Sequence, residues 1–153
     1  MKAKTIPGIE PVLTFRVGPR FLGISISKIL EILPTPKPTP VPLAFAHVEG
    51  IVEYRKALIP VYNLGRRLSV PPNPSASSHL IVIRDGDASF GVTVDEIGKI
   101  ISQPTPADLP AGRPVQGLPP GLLQFAADDG GSIVPVILPQ ALLTARDPIR
   151  MEA

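Results

Sequence analysis

GIVEYRKALIPVYNL, residues 50–64, decides the fold. Two apolar segments rich in β-branched and aromatic residues flank Arg55-Lys56, so 48–54 and 57–62 read as the two strands of one hairpin. Pro60 has no N–H to give to a ladder, which predicts that its strand lies at an edge or carries a bulge. Asn63 follows as a good N-cap and predicts a short helix running through Leu68.

The same grammar repeats on both sides. Residues 12–17 and 21–26 flank Gly18-Pro19-Arg20, and 79–84 and 89–94 flank Asp85-Gly86-Asp87, where Asp-Gly tolerates the positive φ of a tight hairpin. A further strand is expected at 97–103, and 122–126 and 132–138 bracket the turn-rich residues 127–131. Helical signals are short. Ser27 is placed to cap one turn over 27–33, with Ile29, Ile32 and Leu33 on one face, and a last turn is expected at 140–145. The class is all-β.

Proline punctuates this pattern. The chain has 21 Pro and 13 Gly, which excludes a long-helix protein. PTPKPTPVP, residues 34–42, forces an extended polyproline-like connector that cannot enter a sheet interior. PPNPSASS, residues 71–78, has linker composition and is expected to mark an internal boundary.

Composition narrows the function. In 153 residues, 44% are hydrophobic and 18% charged, enough apolar material for a real core. The 15 basic and 13 acidic side chains are interspersed, so no charged block is available to track nucleic acid or an anionic membrane. There is no Cys, which removes disulfides, thiolate metal sites and cysteine nucleophiles and suits the cytoplasm. No stretch approaches the ~20 apolar residues of a membrane span, so direct membrane insertion is not expected.

Chemistry is hard to find. His47 and His79 lack the local context of a triad, no G-x-S-x-G elbow occurs, and the carboxylates lack metal-ligand spacing. Asp128-Asp129-Gly130-Gly131 and Asp85-Gly86-Asp87 read as solvated turns, and the prolines of 117–121, GLPPG, remove donors a phosphate cradle needs. With two Tyr, five Phe and no Trp, a base-stacking platform is equally unsupported. The expectation is a binding module: not an enzyme, with no catalytic residues, no cofactor and no metal.

Gly50, Ile51, Arg55, Ile59, Pro60, Val61 and Leu64 together resemble the signature of CheW-like domains, a Gly followed five residues later by an Arg and then by an apolar-Pro-apolar strand. Phe15, Gly23, Ile24, Ile29, Glu31 and Ile32 resemble the family's first hairpin. Residues 80–83, 91–94, Asp95, Gly117 and 133–143 are similar to its later strands and closing helix. The resemblance covers about residues 11–146. It implies one domain there, with tails at 1–10 and 147–153, built as two packed SH3-like five-stranded β-barrels with short helices, divided near 71–78.

It also implies a non-catalytic adaptor in the cytoplasm, recruited to receptor arrays. The implied partners are the regulatory domain of a CheA-type histidine kinase and the cytoplasmic tip of a chemoreceptor. Arg55, Gly50 and Ile29 match family positions implicated in that binding, with Val52 and Lys56 as their hairpin neighbours. For Gly50, a bulge or close backbone approach stands beside direct contact; for Ile29, core packing stands beside an interface role. The chain departs from the family pattern where Lys56 replaces the usual Gly, Glu53 a common Asn, and Asn63 a frequent Asp. The alternatives are a coupler in a pathway governing pili, development or gene expression, and a small-molecule sensor using a groove between the barrels.

Overall fold

A computed structural model describes residues 10–34, 37–42, 48–71, 78–107 and 122–144. The chain forms β1 (Val12–Val17), β2 (Arg20–Ser25), a single 3-10 turn (Ile26–Lys28), β3 (Ile29–Pro34), β4 (Val48–Tyr54) and β5 (Ala57–Asn63). It continues through α1 (Leu64–Arg67), β6 (His79–Asp85), β7 (Ala88–Val94), β8 (Glu96–Ile101) and β9 (Thr105–Pro106) to β10 (Leu123–Asp129), β11 (Ser132–Ile137) and α2 (Pro139–Thr144).

These strands make two sheets, ordered β8-β1-β2-β11-β10-β9 and β3-β6-β7-β5-β4. Each contains one parallel pair between strands distant in sequence, β2 with β11 and β5 with β7. Each sheet also curls, so that strands at or near its two ends share one interior. In the first, hereafter barrel A, Ile101 of β8 and Ala127 of β10 share one interior with Val12, Val134 and Val136, and Lys99 Nζ meets Asp129 Oδ2 at 2.6 Å. In the second, barrel B, Leu33 of β3 and Val52 and Tyr54 of β4 pack on the interior formed by Ile59, Val61, Leu80 and Val82.

Between the barrels lies a third and larger apolar layer. β6 shows why its sequence is a continuous LIVI: Leu80 and Val82 fill barrel B while Ile81 and Ile83 face the shared layer, so both faces are buried. β1 does the same, with Val12 inside barrel A and Leu13, Phe15 and Val17 outside it. Among the described residues the shared layer holds sixteen buried apolar side chains against five and four inside the barrels. At roughly 1.5–3 kcal/mol for each large side chain buried, the barrels stand as one folding unit.

Several expectations need correction. Residues 27–33 do not form a helical turn: the 3-10 turn ends at Lys28, and the backbone from Ile29 pairs with β6. Ile29 and Ile32 are β-branched and satisfy that ladder better than an isolated turn, and the cap position, Ser25, makes no side-chain cap bond. Nor do residues 71–78 divide the barrels. Strands on both sides of that segment, β3 to β5 and β6 to β7, belong to barrel B, and barrel A is assembled from the two ends of the chain. Residues 72–77 themselves, like 1–9, His47, 117–121 and 145–153, lie outside the described residues.

Pro60 also sits differently from expectation. β5 is internal, between β4 and β7, and not an edge. Its proline is accommodated because the pairing with β7 begins one residue later, at Val61↔Gly91. Barrel A has a sixth, two-residue strand, β9, beyond the five expected, and the turn between β10 and β11 contracts to Gly130-Gly131.

Candidate functional site

The hairpin of β4 and β5 closes in two residues, Tyr54 pairing with Ala57 around Arg55-Lys56. Both turn residues have positive φ, 49° and 68°, the requirement of a type I′ turn. Neither is glycine, so the bend costs about 1–2 kcal/mol per residue in backbone strain. The side chains that justify it stand in solvent: Arg55 is 71% exposed and Lys56 is exposed too.

Arg55 is nonetheless positioned. Its guanidinium carbon lies 5.2 Å from the centroid of the Tyr54 ring, and Nη2 approaches Glu31 Oε1 at 3.4 Å. Tyr54 donates its hydroxyl to that same oxygen at 3.0 Å. Glu31 belongs to β3 and Tyr54 to β4, the two end strands of the sheet, so this cluster is the polar clasp that closes barrel B. Desolvation first, and then the bond to Glu31, raise the Tyr54 phenol above its ordinary value of 10.0, against the opposing pull of Arg55.

Cross-strand register separates the remaining candidates. Val52 pairs with Ile59 and points into barrel B, so it does not share the surface with Arg55. The outer face of the hairpin is formed by the pairs Glu53↔Leu58 and Ile51↔Pro60, and Leu58 is 69% exposed there. Ile29 lies on β3, opposite Ile83, and packs half-buried against the shared layer. Gly50 is buried. It carries φ 149° at a bulge between Val48 and Gly50, and a Cβ there would meet the backbone of Thr39. Its place is thus under a close backbone approach, while Arg55 and Lys56 reach the surface together.

Leu58, Glu31 and Tyr54 join this candidate site in the structure, though local reading did not single them out. Leu58 carries a sequence signal, since in ALIPV it alternates with the inward Ile59 and Val61. Glu31 carries only its match to the family's first hairpin and Tyr54 carries none, because their meeting depends on barrel closure. At the opposite end of the hairpin, Asn63 Oδ1 accepts the Arg66 N–H at 2.9 Å, the expected cap, while its Nδ2 donates to Glu49 at 2.6 Å. Thr93 also donates to Glu49, at 3.1 Å. An Asp at 63 would still cap α1, but it would set a carboxylate against Glu49; the neighbour explains the departure.

Among the described residues no group of three or more His, Asp or Glu side chains converges to hold a metal, and no helix is long and apolar enough to cross a membrane. What the geometry presents is a rigid pair of barrels sharing one core, with a strained, cation-bearing hairpin at the rim of one. That combination defines a double SH3-like barrel module.

Residues 11–147 match the CheW-like domain, and the chain belongs to that family. It is 31% identical over 96 residues to the chemotaxis protein CheW of Treponema pallidum, covering 60% of this chain and 56% of that one. With the chemotaxis protein CheW of Thermotoga maritima it shares 30% identity over 86 residues, covering 56% and 57%. The alignments thus span little more than half the length of these relatives. The fold is that of the scaffolding protein TtCheW from Thermoanaerobacter tengcongensis, with a TM-score of 0.77 over 89% of this chain and 93% of that one, at 19% identity.

Proposed function

We propose that the protein is a non-catalytic adaptor that couples chemoreceptors to a CheA-type histidine kinase in chemotaxis signalling, acting in the cytoplasm at receptor arrays. The observation that carries this reading is membership of the CheW-like family across residues 11–147, together with an Arg55-Lys56 turn that holds two cations in solvent against backbone strain. The names of the relatives, chemotaxis protein CheW and scaffolding protein, support the same role.

Within this reading Arg55 is the primary partner contact and Lys56 its neighbour. Arg55 reaches outward from a fixed perch on Tyr54, so less side-chain entropy is lost when it meets a partner carboxylate. Gly50, Ile29 and Val52 contribute from beneath: Gly50 by letting the backbone close over β4, Val52 and Ile29 by holding the two end strands of barrel B in place.

The test is a titration of the kinase regulatory domain, and separately of a receptor tip fragment, from the same cell. Arg55→Ala should keep the fold and weaken binding to at least one of them by ~1 kcal/mol or more, about fivefold in Kd. Unchanged affinity for both would remove Arg55 from the interface.

A further inference from the structure

Residues 37–42 run along the outer side of β4. Thr39 donates its N–H to the Ile51 carbonyl at 2.8 Å and accepts the Ile51 N–H at 2.9 Å, a one-residue antiparallel bridge onto the last strand of the barrel B sheet. The bulge and the φ of 149° at Gly50 make room for it, since any side chain there would strike the Thr39 backbone. The two residues flanking Thr39 are Pro38 and Pro40.

That arrangement has a directional consequence. In an extended chain successive amides point to opposite sides, so when Thr39 faces β4, positions 38 and 40 face away from it. Both are proline and neither has an N–H. In the sequence, proline recurs at every second position through PTPKPTPVP, residues 34–42. Around Thr39 the chain can therefore pair on one side only. Its other side, which is exposed at Thr39 to Pro42, offers carbonyls but no donors at 38 and 40.

We propose that residues 37–42 are a built-in edge cap for barrel B: Thr39 takes up the outward backbone of Ile51 in β4, and the prolines on either side of it prevent another strand from adding beyond. One place further along β4, the next outward-facing backbone belongs to Glu53, an exposed charge that also disfavours strand addition. A second copy of the chain, or an extended peptide, is thereby excluded from docking through main-chain pairing at this edge. Recognition near the hairpin must then use side chains such as Arg55 and Leu58. The cap itself rests on the fold and stands whether or not the adaptor reading does.

The test needs only the full-length chain. Amide hydrogen exchange in the parent should show Thr39 and Ile51 protected together, each at least tenfold slower than in an unstructured peptide; exchange of Thr39 at the unstructured rate would overturn the cap. The double variant Pro38→Ala/Pro40→Ala restores donors on the outer side. In sedimentation velocity over a dilution series it should self-associate at least tenfold more tightly than the parent, with its far-UV spectrum retained. If the double variant does not fold, Pro40→Ala alone carries the same expectation. A folded variant that sediments like the parent at every concentration would overturn the proposal.

Discussion

The hairpins of β4–β5 and β10–β11 make closely similar bends from opposite materials. In barrel A the turn is Gly130-Gly131, with φ 61° and 100°, and nothing lies within 4 Å of where either side chain would begin. In barrel B the turn is Arg55-Lys56, with φ 49° and 68°, which glycine would adopt without steric strain. The bend itself therefore asks for neither cation. Non-glycine residues at left-handed φ persist only where the surroundings over-determine them, and they concentrate at functional positions. Here the surroundings are the Tyr54–Glu31 clasp and the Ile59, Val61 and Val52 packing behind it. One turn only reverses the chain; the other reverses it while holding charge in solvent.

The largest effect expected from pressing on this contrast is at glycine itself. Gly50→Ala drives a side chain into the Thr39 backbone at unfavourable φ and should destabilise barrel B by about 3 kcal/mol in urea unfolding, whereas Gly131→Ala, strained but unobstructed, should cost about 1 kcal/mol. Equal losses would mean that the close approach over β4 carries no energy. Next comes the exchange of turns. Replacing Arg55-Lys56 by Gly-Gly relieves the strain at both residues but adds about 0.5–1 kcal/mol of backbone entropy cost for each glycine, so it should stabilise the fold by roughly 1–2 kcal/mol net while weakening partner binding, and Gly130-Gly131→Arg-Lys should destabilise by a similar amount with no gain in affinity. A Gly-Gly variant that binds as well as the parent would reduce the barrel B turn to the same status as the barrel A turn.

A smaller effect is expected at the base of the same hairpin. Asn63→Asp exchanges the amide that donates to Glu49 for a second carboxylate and should cost about 1 kcal/mol at pH 7, which thermal unfolding would show. The clasps come last. Lys99→Met in barrel A and Glu31→Gln in barrel B should each cost less than ~1 kcal/mol, because Lys99 and Arg55 are mostly exposed. They should differ at high pH. The raised Tyr54 phenol stays protonated in the fold when the unfolded chain has begun to ionise, so stability falls as pH rises past 10.0; Tyr54→Phe should reduce that slope and leave the part contributed by the half-buried Tyr62 phenol, which is raised too.

Much of the fold was legible before any coordinates. The hairpins at 12–25, 48–63 and 79–94 announce themselves through two apolar runs around a turn, and Asn63 signals its helix as a cap must, with a side-chain oxygen at the right place. Arg55 and Lys56 were legible as a turn, Arg55 as a match to the family and Lys56 as a departure from it. Their strain was not, because φ is invisible in residue names. Residues 27–33 misled because apolar spacing in a short segment suits one turn of helix as well as a bulged strand, and only the offer of a partner, β6, decides between them. Val52 looked like a surface neighbour of Arg55, yet the period of two sends it to the opposite face.

By itself, then, the sequence determined where most hairpins turn and which segments beside those turns extend, β3 being the exception, because these depend on local backbone chemistry and side-chain alternation. Only the tertiary structure decided which sheet each strand joins. β1 and β2 pair with each other, but on their outer sides β1 meets β8 and β2 meets β11, and β5 reaches past residues 71–78 to β7. Alternation specifies faces and not partners; the partners are chosen when the shared core between the barrels closes over the inward faces of both. The clasp at Glu31, the cover over Gly50 and the perch of Arg55 all follow from that closure.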